Sequence, residues 1–149
     1  MKVHIRDATG LVLDFAVATA SKMVFDVDES DAYGFEIMRS LNVWDHIERT
    51  PFNPSKNRYD GLIVINNLFH GHNVHIENKR YKVIARCSRE SPLETPLHYV
   101  TYKGSDLVEA ASRCYVALKH GVYIDIPEHY VNHQIECDIT TEMIRSTNR

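Results

Sequence analysis

The strongest secondary-structure signal in this chain is a helix predicted over residues 106–120. Ser105 is a suitable N-cap, and Asp106 and Glu109 lie where the positive end of a helix favours acids. Gly121 is typical of the position that ends a helix. The apolar side chains repeat at helical spacing on one face, and they are Leu107, Ala110, Ala111, Cys114, Ala117 and Leu118. Such a face must be buried, so the chain needs at least one further layer to cover it.

Shorter patterns around this helix indicate a mixture of helices and strands. Period-two alternation on both sides of Asn78-Lys79 predicts a hairpin over 72–86. A first helix follows the N-cap candidate Thr9, and a second follows Asp60. Further strands are predicted over 3–5, 23–25, 99–102 and 122–126, and a short helix over 35–44. Helices and strands do not alternate with Rossmann spacing. The prediction is a single α+β domain with two or three helices on a small, mostly antiparallel sheet.

Helical spacing also predicts which side chains are buried. In the first and last helices we expect Leu11, Phe15, Ala111, Cys114 and Leu118 to be in the core. In the second helix, Leu62, Ile65, Leu68 and Phe69 share a face, although the run 62–65 is also compatible with a strand.

Composition places the chain among ordinary globular proteins. It has 149 residues, of which 44% are apolar, enough for one domain with its own core. Its longest apolar run, 114–118, is far too short to cross a membrane. Asp7 and Asp14 interrupt the N-terminal stretch, which argues against a signal peptide. Three cysteines argue against a disulfide framework, so we expect a cytoplasmic location.

Charge is segregated along the chain. The formal net charge is −3, which gives no general attraction to nucleic acid and argues against it as a partner. Residues 26–50 are nevertheless mostly acidic, and residues 56–86 are mostly basic. The pattern indicates two solvated faces, or a bipolar surface that docks on a partner or a second copy. Tyr59 and Tyr81 lie among the basic residues and leave a single-strand-binding module open as an alternative.

Two histidine clusters have metal-ligand spacing but no complete ligand set. They are His70, His72 and His75 and, later, His129, His133 and Cys137. Neither cluster has an acid positioned as a general base or a plausible fourth ligand. Cys87 and Cys114 are not accompanied by any nucleophile motif. We therefore expect no metal, no cofactor and no catalytic residues, while a small metal- or nucleotide-dependent enzyme remains the alternative.

Three sequence blocks, taken together and in order, form a recognisable pattern. The first is Ala-Thr-Gly-Leu-Val-Leu-Asp-Phe-Ala-Val-Ala at 8–18, and the second is Phe-Asn-Pro-Ser at 52–55, followed by Gly-Leu-Ile at 61–63. The third is Arg-Cys-Tyr-Val-Ala at 113–117, then Gly121 and Ile-Asp-Ile-Pro-Glu at 124–128. In this order the three blocks resemble the NinX-like family of phage proteins. The resemblance implies a NinX-like α+β domain over 1–128 and a C-terminal extension over 129–149. It also implies a phage or prophage accessory protein in the cytoplasm of a bacterial host.

The shared polar residues are the candidate ligand-binding residues. They are Asp14, Asn53, Ser55 and Arg113, to which Ser105 is added because Lys103-Gly104-Ser105 precedes the best helix and could bind an anion. We expect Asp14 and Arg113 to face each other, either as an ion pair or across a common pocket. The predicted function is a non-enzymatic protein that binds a host protein or a small nucleotide-like ligand. Countering host defence is one role that such phage genes often have.

Overall fold

The computed structural model describes residues 1–30, 40–89 and 99–147. In these ranges it contains four helices, which are α1 (Gly10–Ala20), α2 (Arg58–Phe69), α3 (Leu107–Lys119) and α4 (Glu128–Thr147). The strands are β1 (Lys2–His4), β2 (Phe25–Ser30), β3 (Ser40–Asp45), β4 (Thr50–Pro51), β5 (His72–Lys79), β6 (Lys82–Arg89), β7 (Tyr99–Gly104) and β8 (Tyr123–Asp125). A single 3-10 turn, Ile5–Asp7, joins β1 to the segment before α1.

The strands form three small antiparallel sheets, with orders β1-β8, β2-β3-β4 and β5-β6-β7. The predicted hairpin is confirmed as β5 and β6, but its turn is at Arg80-Tyr81, two residues later than expected. The predicted α+β class of a single domain is therefore correct. The chain has more helices than expected and divides its strands among separate sheets.

Helix α3 is the centre of the core. It packs against α1, α2 and the β5-β6-β7 sheet, which explains why its pattern is the clearest in the sequence. The expected burial of Leu11, Ala111, Cys114 and Leu118 is confirmed. Phe15 is only half-buried, because it lies at the edge of the core with its ring 5.0 Å from that of Phe25.

The predicted buried face of α2 is only partly correct, because Leu68 is buried and Ile65 packs against the core but Leu62 and Phe69 do not. Its buried residues are Gly61, Val64 and Leu68, whereas Leu62 and Phe69 are about half exposed. The reason lies in the contact with α3, because a Cβ at position 61 would come within 2.9 Å of Val108 Cγ2. Gly61 therefore sets which side of α2 approaches α3, and this close approach turns Leu62 outward.

Two local predictions also need correction. Residues 40–44, expected in a short helix, belong to strand β3, while 35–39 lie outside the described residues. The N-cap of α2 is Asn57, whose side chain accepts hydrogen bonds from the amides of Tyr59 and Asp60. None of the helices that the structure describes is long and apolar enough to span a bilayer.

The α2 assignment predicts opposite outcomes for two leucines on the same helix. Leu68→Ala should lower the free energy of unfolding by about 2–5 kcal/mol, because Leu68 is fully buried. Leu62→Ala should change it by less than about 1 kcal/mol, because that side chain is half exposed. Urea denaturation of both variants measures the difference. A larger loss in Leu62→Ala than in Leu68→Ala would contradict the observed orientation of α2.

Candidate functional site

The N-terminus of α1 is capped by α4. Gln134 Oε1 accepts a hydrogen bond from the backbone amide of Leu11 at 2.6 Å. Gly10 has a φ of +50° and lies against the Gln134 amide, where any Cβ would overlap it. Thr9 occupies the predicted N-cap position, but its side chain makes no cap hydrogen bond and instead donates to Asp138 at 3.3 Å. Helix α4 thus supplies the cap that the sequence assigned to Thr9.

Asp14 holds the loop before α2 from inside the core. The backbone amide of Ser55 donates to Asp14 Oδ1 at 2.8 Å, and the Ser55 hydroxyl donates to Oδ2 at 2.6 Å. The Asp14 side chain is buried in helix α1. Burial raises the pKa of Asp14 to about 7, and the two Ser55 hydrogen bonds only partly oppose this. Asp14 therefore gains or loses its charge near neutral pH while it positions Ser55.

Arg113 connects three segments beneath the surface. Its Nη2 donates to the carbonyl of Ala8 at 2.9 Å, and its Nη1 donates to the carbonyl of Lys103 at 2.5 Å. Nη1 also lies 3.1 Å from Glu109 Oε1, one helical turn earlier in α3. The Arg113 side chain is 8% exposed and so is almost fully withdrawn from water. This one side chain ties the segment before α1 to the end of β7 and to α3.

The start of α3 is built as a reciprocal cap. The Asp106 side chain accepts from the Glu109 amide at 2.8 Å, and Glu109 Oε1 accepts from the Ser105 amide at 3.1 Å. The N-cap is therefore Asp106 rather than the predicted Ser105. Gly104 is needed two residues before this N-cap, because a Cβ there would come within 2.5 Å of the Ala110 nitrogen.

These contacts surround a surface cavity, which we call the α1–α4 cleft, of about 500 Å³. Its walls come from the start of α1, the loop before α2, the start of α3 and one side of α4. The lining residues are Thr9, Gly10, Ser55, Lys56, Ser105, Asp106, Glu109, Gln134, Asp138, Thr141, Glu142 and Arg145. A cavity of this volume is within the range of small-molecule sites.

Two of the five predicted ligand-binding residues line the cleft, and two more contact residues that line it. Ser55 and Ser105 lie on its wall, and Asp14 and Arg113 lie directly behind them through Ser55 and Glu109. Asn53 is the exception. Its side-chain oxygen accepts a hydrogen bond from the backbone amide of Val43 at 3.3 Å, and its backbone amide donates a hydrogen bond to the Asp60 carboxylate. Asn53 therefore holds the loop against β3 and does not line the cleft.

The predicted Asp14–Arg113 ion pair is wrong. Asp14 is bonded to Ser55, and Arg113 is bonded to Glu109 and two carbonyl groups. Each group was predicted correctly to be near an apolar stripe. Their partners come from loop and cap geometry, which helical spacing does not report.

The α4 wall of the cleft was missed by sequence reasoning. Gln134, Asp138, Thr141 and Arg145 recur three or four residues apart, and they therefore share one side of a helix. This spacing was a usable signal, but the segment was assigned to an extension without a role. None of the described residues of α4 is buried. The helix is held against the domain through its contacts with α1.

The histidine clusters do not assemble into a metal centre. No group of three or more metal-ligating side chains occurs in residues 1–30, 40–89 and 99–147. His133 Nε2 lies 3.5 Å from Cys137 Sγ, and His72 is buried with its Nδ1 2.8 Å from the Leu68 carbonyl. Both histidines thus have ordinary structural partners.

Comparisons with known proteins add no family assignment. No protein-family model matches the chain, and no curated protein matches it. The resemblance to the NinX-like family stays a prediction.

The raised pKa of Asp14 predicts a specific pH dependence of stability. Between about pH 4 and pH 7 the unfolded chain loses the Asp14 proton while the folded protein keeps it. The contribution of Asp14 to the free energy of unfolding should therefore fall as pH rises, by about 4 kcal/mol between pH 4 and pH 7. Asp14→Asn lacks the titration but can still bond to Ser55.

The measurement is the difference in unfolding free energy between the natural protein and Asp14→Asn at several pH values. The free energy of unfolding of the natural protein should fall relative to that of Asp14→Asn from pH 4 to pH 7, and the difference between them should level off above pH 7. A difference that grows in favour of the natural protein with rising pH would contradict a raised pKa.

Proposed function

We propose that this protein is a non-enzymatic phage or prophage accessory protein that binds a small nucleotide-like ligand in the α1–α4 cleft. The observation that carries the proposal is the convergence of Ser55 and Ser105 on one cavity, with Ser55 bonded to buried Asp14 and Ser105 linked through Glu109 to buried Arg113. Concave sites with a few positioned polar groups are where small ligands bind. The phage origin rests on the three sequence blocks alone.

The polar groups of the cleft are held in position before any ligand arrives. Ser55 is fixed by two hydrogen bonds to Asp14, and Ser105 is fixed by the hydrogen bond that its backbone amide donates to Glu109 Oε1. Binding therefore needs little ordering of these side chains, which favours affinity. Prearranged walls of this kind support a binding role for the cavity.

The charges of the cleft favour a nucleoside or a nucleoside monophosphate over a triphosphate. Four carboxylates line it, and they are Asp106, Glu109, Asp138 and Glu142. Carboxylates accept hydrogen bonds, so they suit the hydroxyl and amino donors of a ribose and a base. The cations that line the cleft are Lys56 and Arg145, enough for one phosphate group.

An enzyme is the second candidate, and the Asp14–Ser55 pair favours it. A carboxyl group with a pKa near 7 bonded to a serine hydroxyl on a cleft wall has the chemistry of a general base and a nucleophile. The pair also has a complete structural explanation, because Asp14 fixes the loop through both Ser55 donors. We therefore place binding before catalysis.

Thermal melting with a panel of nucleosides and their mono- and triphosphates tests the proposal. A ligand at about 100 times its Kd should raise the melting temperature by roughly 5–10 °C. Lys56→Ala and Arg145→Ala should weaken binding of the monophosphate at least about fivefold, measured by calorimetry. Lys119→Ala removes an exposed cation that does not line the cleft and should leave the affinity unchanged.

The outcomes separate the two candidates. Absence of any shift across the panel, or a shift that both cleft variants retain in full, would contradict the proposed site. Conversion of a bound compound, measured by chromatography and abolished in Asp14→Asn, would show an enzyme instead.

A further inference from the structure

The outer face of the β5-β6-β7 sheet carries a second groove, on elements other than those that form the α1–α4 cleft. Two cavities of about 570 and 530 Å³ adjoin there and share Ile84, Tyr99 and Thr101. Arg6 of the 3-10 turn lines one end, and His75 of β5 lines the other. Together they form a continuous groove, which we call the sheet groove, across all three strands.

An exposed aromatic ring is held in the sheet groove by a guanidinium. The Arg86 Cζ lies 4.3 Å from the centroid of the Tyr99 ring, in cation–π contact. Tyr99 remains 46% exposed, so part of the ring is open to a further stacking partner. A second such pair occurs at the hairpin turn, where Arg80 lies 5.6 Å from the ring of Tyr81, which is 84% exposed.

The same face is strongly basic although the chain as a whole is acidic. Its cations, including those of the hairpin turn, are Arg6, Lys79, Arg80, Lys82, Arg86 and Lys103. Among the described residues, Asp7 and Glu77 are the carboxylates that pair with them, at 3.8 Å from Arg6 and 3.7 Å from Lys79. Both ion pairs are more than half exposed, and pairs of that kind are weak. A net charge of −3 for the chain conceals this local excess of positive charge.

We propose that the sheet groove binds single-stranded nucleic acid. Cations along the groove complement the phosphate backbone, and the exposed ring of Tyr99 offers a stacking platform for an unpaired base. A base-paired duplex keeps its bases stacked on each other and cannot use the ring. An acidic peptide could use the cations, but it has no need of the exposed tyrosine.

Fluorescence anisotropy with labelled dT20 and U20 oligonucleotides tests this site. The natural protein should bind both single strands better than a duplex of equal length, and its affinity should fall steeply with salt. Tyr99→Ala should weaken binding at least about fivefold, because a stacked base is lost, while Tyr99→Phe should retain it. Lys103→Ala should weaken binding to all sequences and make the dependence on salt shallower.

Lys119→Ala is the matched control, because it also removes one exposed cation but lies at the end of α3, away from the sheet groove. Circular dichroism of each variant confirms the fold, and Tyr99→Phe and Lys103→Ala change only exposed side chains. No binding to either oligonucleotide would overturn the proposal. Equal losses of affinity in Lys103→Ala and Lys119→Ala would also overturn it. Binding of polyglutamate as tight as that of the oligonucleotides, and unaffected by Tyr99→Ala, would overturn it too and would indicate an acidic protein as the partner.

Discussion

The buried guanidinium of Arg113 is the interaction on which the arrangement of the other elements depends. It satisfies carbonyl groups of Ala8 and Lys103, which are far apart in the chain, and it is neutralised by Glu109. A buried charge is tolerated only where its partners are complete, so the three segments must meet in one geometry. That geometry places the start of α1 beside the start of α3 and thereby creates the α1–α4 cleft.

The sequence predicted best where the signal is local. Helix α3 has a capped start, a continuous apolar face and a glycine stop, and the β5–β6 hairpin has alternation on both sides of its turn. Each of these features is encoded within about twenty neighbouring residues. Their positions, and hence the α+β class, could be read without knowledge of any distant contact.

Prediction failed where a distant partner decides the outcome. The face of α2 is set by the contact of Gly61 with Val108, and the cap of α1 is supplied by Gln134. Asp14 and Arg113 were predicted to face each other, but Asp14 is bonded to Ser55 and Arg113 to Glu109 and two carbonyl groups. Periodicity indicates that a side chain turns inward, while its partner depends on how loops and caps pack in three dimensions.

The most direct test of this account is the free energy of unfolding of Arg113→Lys, measured by urea denaturation. Lysine keeps the positive charge but cannot donate to both carbonyl groups in the fork geometry of arginine. The account predicts a loss of about 2–4 kcal/mol, because the carbonyls of Ala8 and Lys103 would be left without their buried donor. A loss of less than about 0.5 kcal/mol, the range of ordinary surface substitutions, would show that Arg113 does not hold these segments together.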